Sequence, residues 1–210
     1  MKMNKKNREH IFESWQQENP DPRTELQYQS GYELLVAVVL SAQATDISVN
    51  KATDRLYLVA NTPQKMIDLG QDALQDYIKS IGLFRSKAKH IIQLSHIIIE
   101  KFDGEIPSNR EDLMLLPGVG RKTANVVLNE FFNQPTIAVD THIFRVANRT
   151  GIAKGSTPDK VEIGLLKKVP KQFRLNAHHW MILHGRYTCI ARRPKCNDCK
   201  ISQWCDYVRS

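Results

Sequence analysis

Apolar residues recur three and four positions apart along most of this chain, the spacing that puts them on one face of a helix. The pattern predicts helices over 4–18, 32–42, 46–60, 63–69, 71–79, 86–102, 109–115, 121–132, 141–150, 158–168 and 172–184. In the first, Ile11, Phe12 and Trp15 turn inward, and Asn19-Pro20-Asp21-Pro22 stops it. Segment 32–42 is apolar on nearly every side, as a helix buried in a core would be. Thr62-Pro63 and Thr157-Pro158 read as an N-cap followed by proline at the first helical position. Ser108-Asn109-Arg110-Glu111 fits a capping box that opens a short helix. Segment 136–139 has strand-like residues but no sequence partner nearby. The expectation is an all-α fold.

Length and charge narrow the class. A chain of 210 residues can bury a real core, as one domain or two small ones. Lysine and arginine outnumber the acids 30 to 22, for a net charge of +8. Many solvated surfaces are basic, yet the excess favours a polyanionic partner, nucleic acid ahead of an anionic membrane. The longest apolar run, 34–40, is too short to cross a bilayer, and the first residues lack a secretory apolar stretch. A cytosolic, monomeric protein with no membrane partner is expected. All four cysteines, Cys189, Cys196, Cys199 and Cys205, crowd the C-terminal tail. In a reducing compartment such a cluster binds metal more often than it forms disulfides.

The densest chemistry lies in 116–124 (LPGVGRKTA) and 139–142 (VDTH). Gly118 and Gly120 permit the tight turn and close backbone approach of an anion-binding hairpin, with Val119 and Arg121 between and after them. A nucleotide-binding P-loop is excluded, because Leu115 stands where that motif needs glycine and Arg121 separates Gly120 from Lys122. An ordinary helix–turn–helix corner remains open from the turn alone. In 121–132, Ala124, Val127, Leu128 and Phe131 form the apolar stripe. Lys122 lies nearly opposite that stripe, with Asn125 and Asn129 beside it. It reads as a solvated or phosphate-binding lysine, or as a nucleophile. Nucleophilic attack needs the neutral amine, which the positive helix end, Arg121 and desolvation by a substrate favour. Asp140 would make an ordinary N-cap for 141–150, a role compatible with a catalytic one. His142, Arg145 and Arg149 fall on one face of that helix, a basic strip suited to phosphates.

Together with 40–46 (LSAQATD), 81–83 (IGL) and the cysteine tail, these motifs closely resemble the endonuclease III family of helix-hairpin-helix DNA glycosylases. The resemblance covers nearly the whole chain. The spacing C-x6-C-x2-C-x5-C is similar to that family's [4Fe-4S] pattern, although four thiolates alone suit zinc as well. The resemblance implies that Cys189, Cys196, Cys199 and Cys205 hold a [4Fe-4S] cluster. Arg186, Arg192, Arg193, Lys195 and Lys200 surround that tail, and the loop 190–195 can reach DNA phosphates. His178, His179 and His184 read as packing residues.

The resemblance further implies two helical domains with a cleft between them. A six-helix domain over 23–133 would carry the hairpin at about 109–132, and 1–22 plus 134–210 would carry the cluster. It implies a bifunctional glycosylase and AP lyase acting on double-stranded DNA with damaged pyrimidines or abasic sites. Lys122 and Asp140 would be catalytic. Gln43 would fill the space left by an extruded nucleotide and Leu83 would wedge between bases, while Gly118, Val119, Gly120, Arg121, His142, Arg145, Arg192 and Arg193 would touch DNA. From the residues alone, Gln43 is equally a loop amide and Leu83 a core leucine. A monofunctional mismatch glycosylase on the same scaffold has no use for a lysine at position 122, and a non-catalytic DNA-binding module has no use for the pair of Lys122 and Asp140.

Overall fold

The computed structural model describes residues 3–209. Among these described residues twelve α-helices run in order: α1 (Lys5–Glu18), α2 (Gly31–Leu40), α3 (Asp46–Leu56), α4 (Pro63–Leu69), α5 (Gln71–Ile78), α6 (Phe84–Phe102), α7 (Arg110–Leu113), α8 (Arg121–Glu130), α9 (Thr141–Thr150), α10 (Pro158–Lys168), α11 (Arg174–Tyr187) and α12 (Asp206–Arg209). Short 3-10 turns lie at Lys171–Phe173, Cys196–Asp198 and Ser202–Trp204. Among the described residues no strand forms. The stretch 136–139, which links α8 to α9 along the chain, is buried without pairing as a strand.

Two compact units divide the chain, Thr24–Phe132 and a discontinuous one made of Met1–Arg23 with Asn133–Ser210. The first, the hairpin unit, is built around α2, whose ten residues are all buried. It packs against α3, α6 and α8, while α4 and α5 lie along α6. Two hydroxyls in its interior find partners within the unit: the Tyr57 hydroxyl donates to Glu33 O (2.7 Å), and Tyr32 pairs with Ser95 Oγ (2.6 Å). The second, the cysteine unit, has its own core of Ile11, Phe12 and Trp15 from α1 against Ile143 and Val146 of α9 and Trp180 and Met181 of α11. Trp180 Nε1 donates to Asn19 O (2.8 Å), tying the end of α1 to α11.

Capping follows the sequence closely. Thr62 and Thr157 accept from the third helical N–H with proline at the helix start, as predicted. The box before α7 is shifted by one residue from the predicted one. Asn109, rather than Ser108, caps the helix, taking Asp112 N at 2.9 Å and returning its amide to Asp112 Oδ2 at 2.7 Å. Asparagine ranks with serine as a cap, and the aspartate three residues on completes the reciprocal pair.

Candidate DNA-repair site

The hairpin joins α7 to α8 through residues 114–120. Gly118 has φ of +81°, the left-handed conformation that closes this turn, and Val119 N donates to Leu116 O (3.0 Å). Leu116 and Val119 are buried, so Val119 presents backbone rather than side chain. Gly120 is the N-cap of α8 and supplies no side chain to its first N–H groups. A bare helix start with its positive dipole end attracts an anion.

Lys122 occupies the first turn of α8 and is exposed, as the helical phase predicted. Asn125 and Asn129 are not on the outer face with it: both are buried. Arg110 of α7 explains Asn125, donating from Nε to its Oδ1 at 2.8 Å, so the short helix covers that side of α8.

Two loops at one end of the hairpin unit carry residues in left-handed conformations without glycine. Gln43, between α2 and α3, has φ of 58° and is exposed. Leu83, between α5 and α6, has φ of 60° and is 64% exposed, so it is not a core leucine. Such conformations cost free energy and persist where surrounding structure enforces them. Lys87 Nζ donates to Leu40 O (2.8 Å) and Ala42 O (2.6 Å) beside this end, a contact that no motif in the sequence announces. Its signal was its phase: Lys87 lies on the same stripe as Ile91, Leu94 and Ile98.

In the cysteine unit, Asp140 caps α9 through Oδ1, which accepts Ile143 N at 2.8 Å. Its other oxygen, Oδ2, accepts from His142 Nδ1 at 2.9 Å, and the side chain is 13% exposed. The cap was expected; the histidine on the second oxygen was not. The basic strip of α9 is also used differently from the expectation. Arg145 donates to Cys189 O (2.9 Å) and Gly185 O (2.8 Å). Arg149 donates to Cys189 Sγ (3.7 Å), Ile190 O (2.8 Å) and Ala191 O (2.8 Å), and lies over the Tyr207 ring. Both guanidiniums hold the cysteine loop rather than standing free for phosphates. Beyond them, Arg192 and Arg193 are exposed, and Arg193 has φ of 56°.

All four cysteines are free thiols and line one pocket, with Arg149, His184, Ile201 and Tyr207 among its other walls. Among the described residues no three His, Cys, Asp or Glu side chains converge as ligands of a single ion. Burial pushes the Cys199 and Cys205 thiols up, and the proximity of the other sulfurs adds to it. Four cysteine sulfurs lining one pocket make a donor set for a soft, positively charged centre larger than a single ion. His184 Nε2 lies 3.8 Å from Cys199 Sγ, and burial lowers its pKa to about 4. His178 and His179 are buried against each other with rings 5.1 Å apart, as packing residues.

No described helix is long and apolar enough to cross a membrane. Residues 36–171 match the family model described as HhH-GPD superfamily base excision DNA repair protein. The chain is 61% identical to endonuclease III of Haemophilus influenzae, over 98% of this chain and 97% of that one. It is 58% identical to endonuclease III of Escherichia coli, with the same coverage. A trapped endonuclease III–DNA covalent intermediate superposes with a TM-score of 0.92 at 42% identity, covering 99% of this chain and 98% of that one. A thermostable thymine-DNA glycosylase shares the fold at a TM-score of 0.83 and 23% identity. The chain belongs to the endonuclease III family, within the HhH-GPD superfamily of base excision DNA repair proteins.

Proposed function

We propose that this protein is a base excision repair DNA N-glycosylase with AP lyase activity, working on double-stranded DNA. The observation that carries the reading is an exposed Lys122 in the first turn of an uncapped helix, behind a left-handed glycine hairpin, in a chain this similar to endonuclease III. Its substrates are oxidised or ring-saturated pyrimidines, such as thymine glycol, and abasic sites. The enzyme acts in the cytosol, where bacterial DNA lies.

Backbone N–H groups of the hairpin and the exposed Arg192 and Arg193 take the phosphates, and Arg121 adds charge at the helix start. The damaged nucleotide leaves the stack, Leu83 wedges into the duplex and Gln43 fills the gap. Lys122 Nζ attacks C1′ of the deoxyribose and the C1′–N bond breaks, the base departing with a proton. Ring opening gives an imine between Lys122 and C1′. Loss of a C2′ proton then expels the 3′ phosphate, breaking the strand by β-elimination. Asp140 accepts the proton of the attacking amine and offsets positive charge at the sugar. Its cap to Ile143 and its bond to His142 hold the carboxylate in one orientation. Cys189, Cys196, Cys199 and Cys205 would hold a [4Fe-4S] cluster whose contribution is structural, shaping the exposed loop that carries Arg192 and Arg193.

The test is borohydride trapping. Incubated with thymine-glycol duplex and sodium borohydride, the wild-type protein should form a covalent protein–DNA adduct, and Lys122→Gln should form none. A folded, duplex-binding wild type that yields no adduct rejects the Schiff-base reading. An adduct undiminished in Lys122→Gln rejects the assignment to that lysine.

A further inference from the structure

Lys87 occupies a position that an apolar side chain would ordinarily fill. It lies in the first turn of α6, in phase with Ile91, Leu94 and Ile98, and is only 5% exposed. Burying an ammonium is expensive unless its protons are used. Here they reach two carbonyls, Leu40 O at 2.8 Å and Ala42 O at 2.6 Å. Leu40 ends α2, where helix carbonyls lack intrahelical donors and the dipole favours a cation. Ala42 O belongs to the peptide group that leads directly into Gln43.

The same residue also holds the second loop. Lys87 N donates to Leu83 O at 3.0 Å, closing the first turn of α6 on a residue that has no side chain able to cap it. Gln43 and Leu83 are the two left-handed, non-glycine residues of these loops, with φ of 58° and 60°. The loops are neighbours as well: a Cβ built on Gly82 would sit 4.0 Å from Gln43 O. The loop's own hydroxyls offer no alternative tie, because Ser41 Oγ turns back to Val38 O and Thr45 Oγ1 accepts Ser48 N to cap α3.

We infer that Lys87 is a positioning residue that presets Gln43 and Leu83 together for entry into the duplex, the first through its side chain and the second through its backbone. This rests on the reading above that those two residues enter the DNA. Lys87 itself touches neither substrate nor reacting atoms. Burial pulls the Lys87 amine below its usual pKa, a standing cost of keeping an ammonium where methionine would pack. An apolar replacement keeps the backbone bond to Leu83 but releases the peptide before Gln43. The two probing residues then lose their common reference, and opening of the duplex slows.

Lys87→Met and Lys87→Gln test this, with thermal melts to establish folding. Base opening is followed in a thymine-glycol duplex by the fluorescence of 2-aminopurine placed beside the lesion, and base release by single-turnover kinetics. Borohydride trapping on an abasic site in single-stranded DNA needs no opening and serves as the reference. Expected for Lys87→Met is a loss on the order of tenfold or more in opening and base release, with trapping on the single strand within about twofold of wild type. Lys87→Gln, which retains an N–H donor, should fall between.

Wild-type opening rates in folded Lys87→Met would overturn the inference. So would equal losses on duplex and single strand, or failure of both variants to fold, since each assigns Lys87 to general stability. If wild type itself neither opens the duplex nor forms the adduct, the proposed function fails and takes the inference with it, a result distinct from any that depends on Lys87.

Discussion

The two glycines of the hairpin look alike in the sequence and are held for different reasons. At Gly118, φ of +81° disfavours any side chain, and a Cβ would lie 3.1 Å from His90 Nδ1. At Gly120, φ is −90° and a Cβ meets nothing within 4 Å. Gly118→Ala should therefore lower stability by about 1–2 kcal/mol, whereas Gly120→Ala should leave the melting temperature essentially unchanged. If Gly120 is glycine so that phosphate can approach, Gly120→Ala will weaken binding to an abasic-site duplex while melting normally. Unchanged affinity would remove that approach from the mechanism. This contrast was not legible beforehand, because a Gly-x-Gly spacing does not reveal which residue bears the positive φ. Exposure of Lys122 was legible, since the stripe of Ala124, Val127 and Leu128 fixes the phase of α8. Burial of Asn125 was not, because it depends on Arg110 arriving from another helix. Lys87 stood in plain phase with an apolar stripe, but only the structure supplies the two carbonyls that make sense of it.

At the level of elements, periodicity and caps located the helices well and their ends less well. Helix α11 runs on to Tyr187, and the 3-10 turns and α12 of the tail carry no apolar period to announce them. Helix α9 shows why a strip of like charge is an incomplete guide. The common face of its arginines suggests phosphate ligands, yet they find carbonyls in the cysteine loop, which comes from more than 40 residues on in the case of Arg149. With charge-assisted bonds to Ile190 and Ala191 removed, Arg149→Met should loosen that loop by about 1–3 kcal/mol. If the proposed [4Fe-4S] cluster sits on that loop, iron and sulfide content of the purified variant should fall, and its visible absorbance should decay faster in air than that of the wild type. Full iron content with unchanged decay would mean the loop is held without this arginine.

On the scale of the molecule, the two cores respond to different insults. If the four cysteines hold the proposed cluster, its oxidative removal should expose amides of α9, α11 and the cysteine tail to hydrogen exchange. Amides of α2 and α6, which draw on a separate set of buried side chains, should keep their protection. Loss of protection in α2 equal to that in α11 would show a single cooperative unit instead. The division into two units has another consequence, for how the chain is made. The hairpin unit is continuous, so all of its partners have left the ribosome once Phe132 is clear. Helix α1 is synthesised before the hairpin unit but packs on α11, and Asn19 O waits for an indole 161 residues downstream. During translation, then, Ile11, Phe12 and Trp15 wait for their core while the whole hairpin unit is made, an apolar face that suits a chaperone until α9 and α11 arrive.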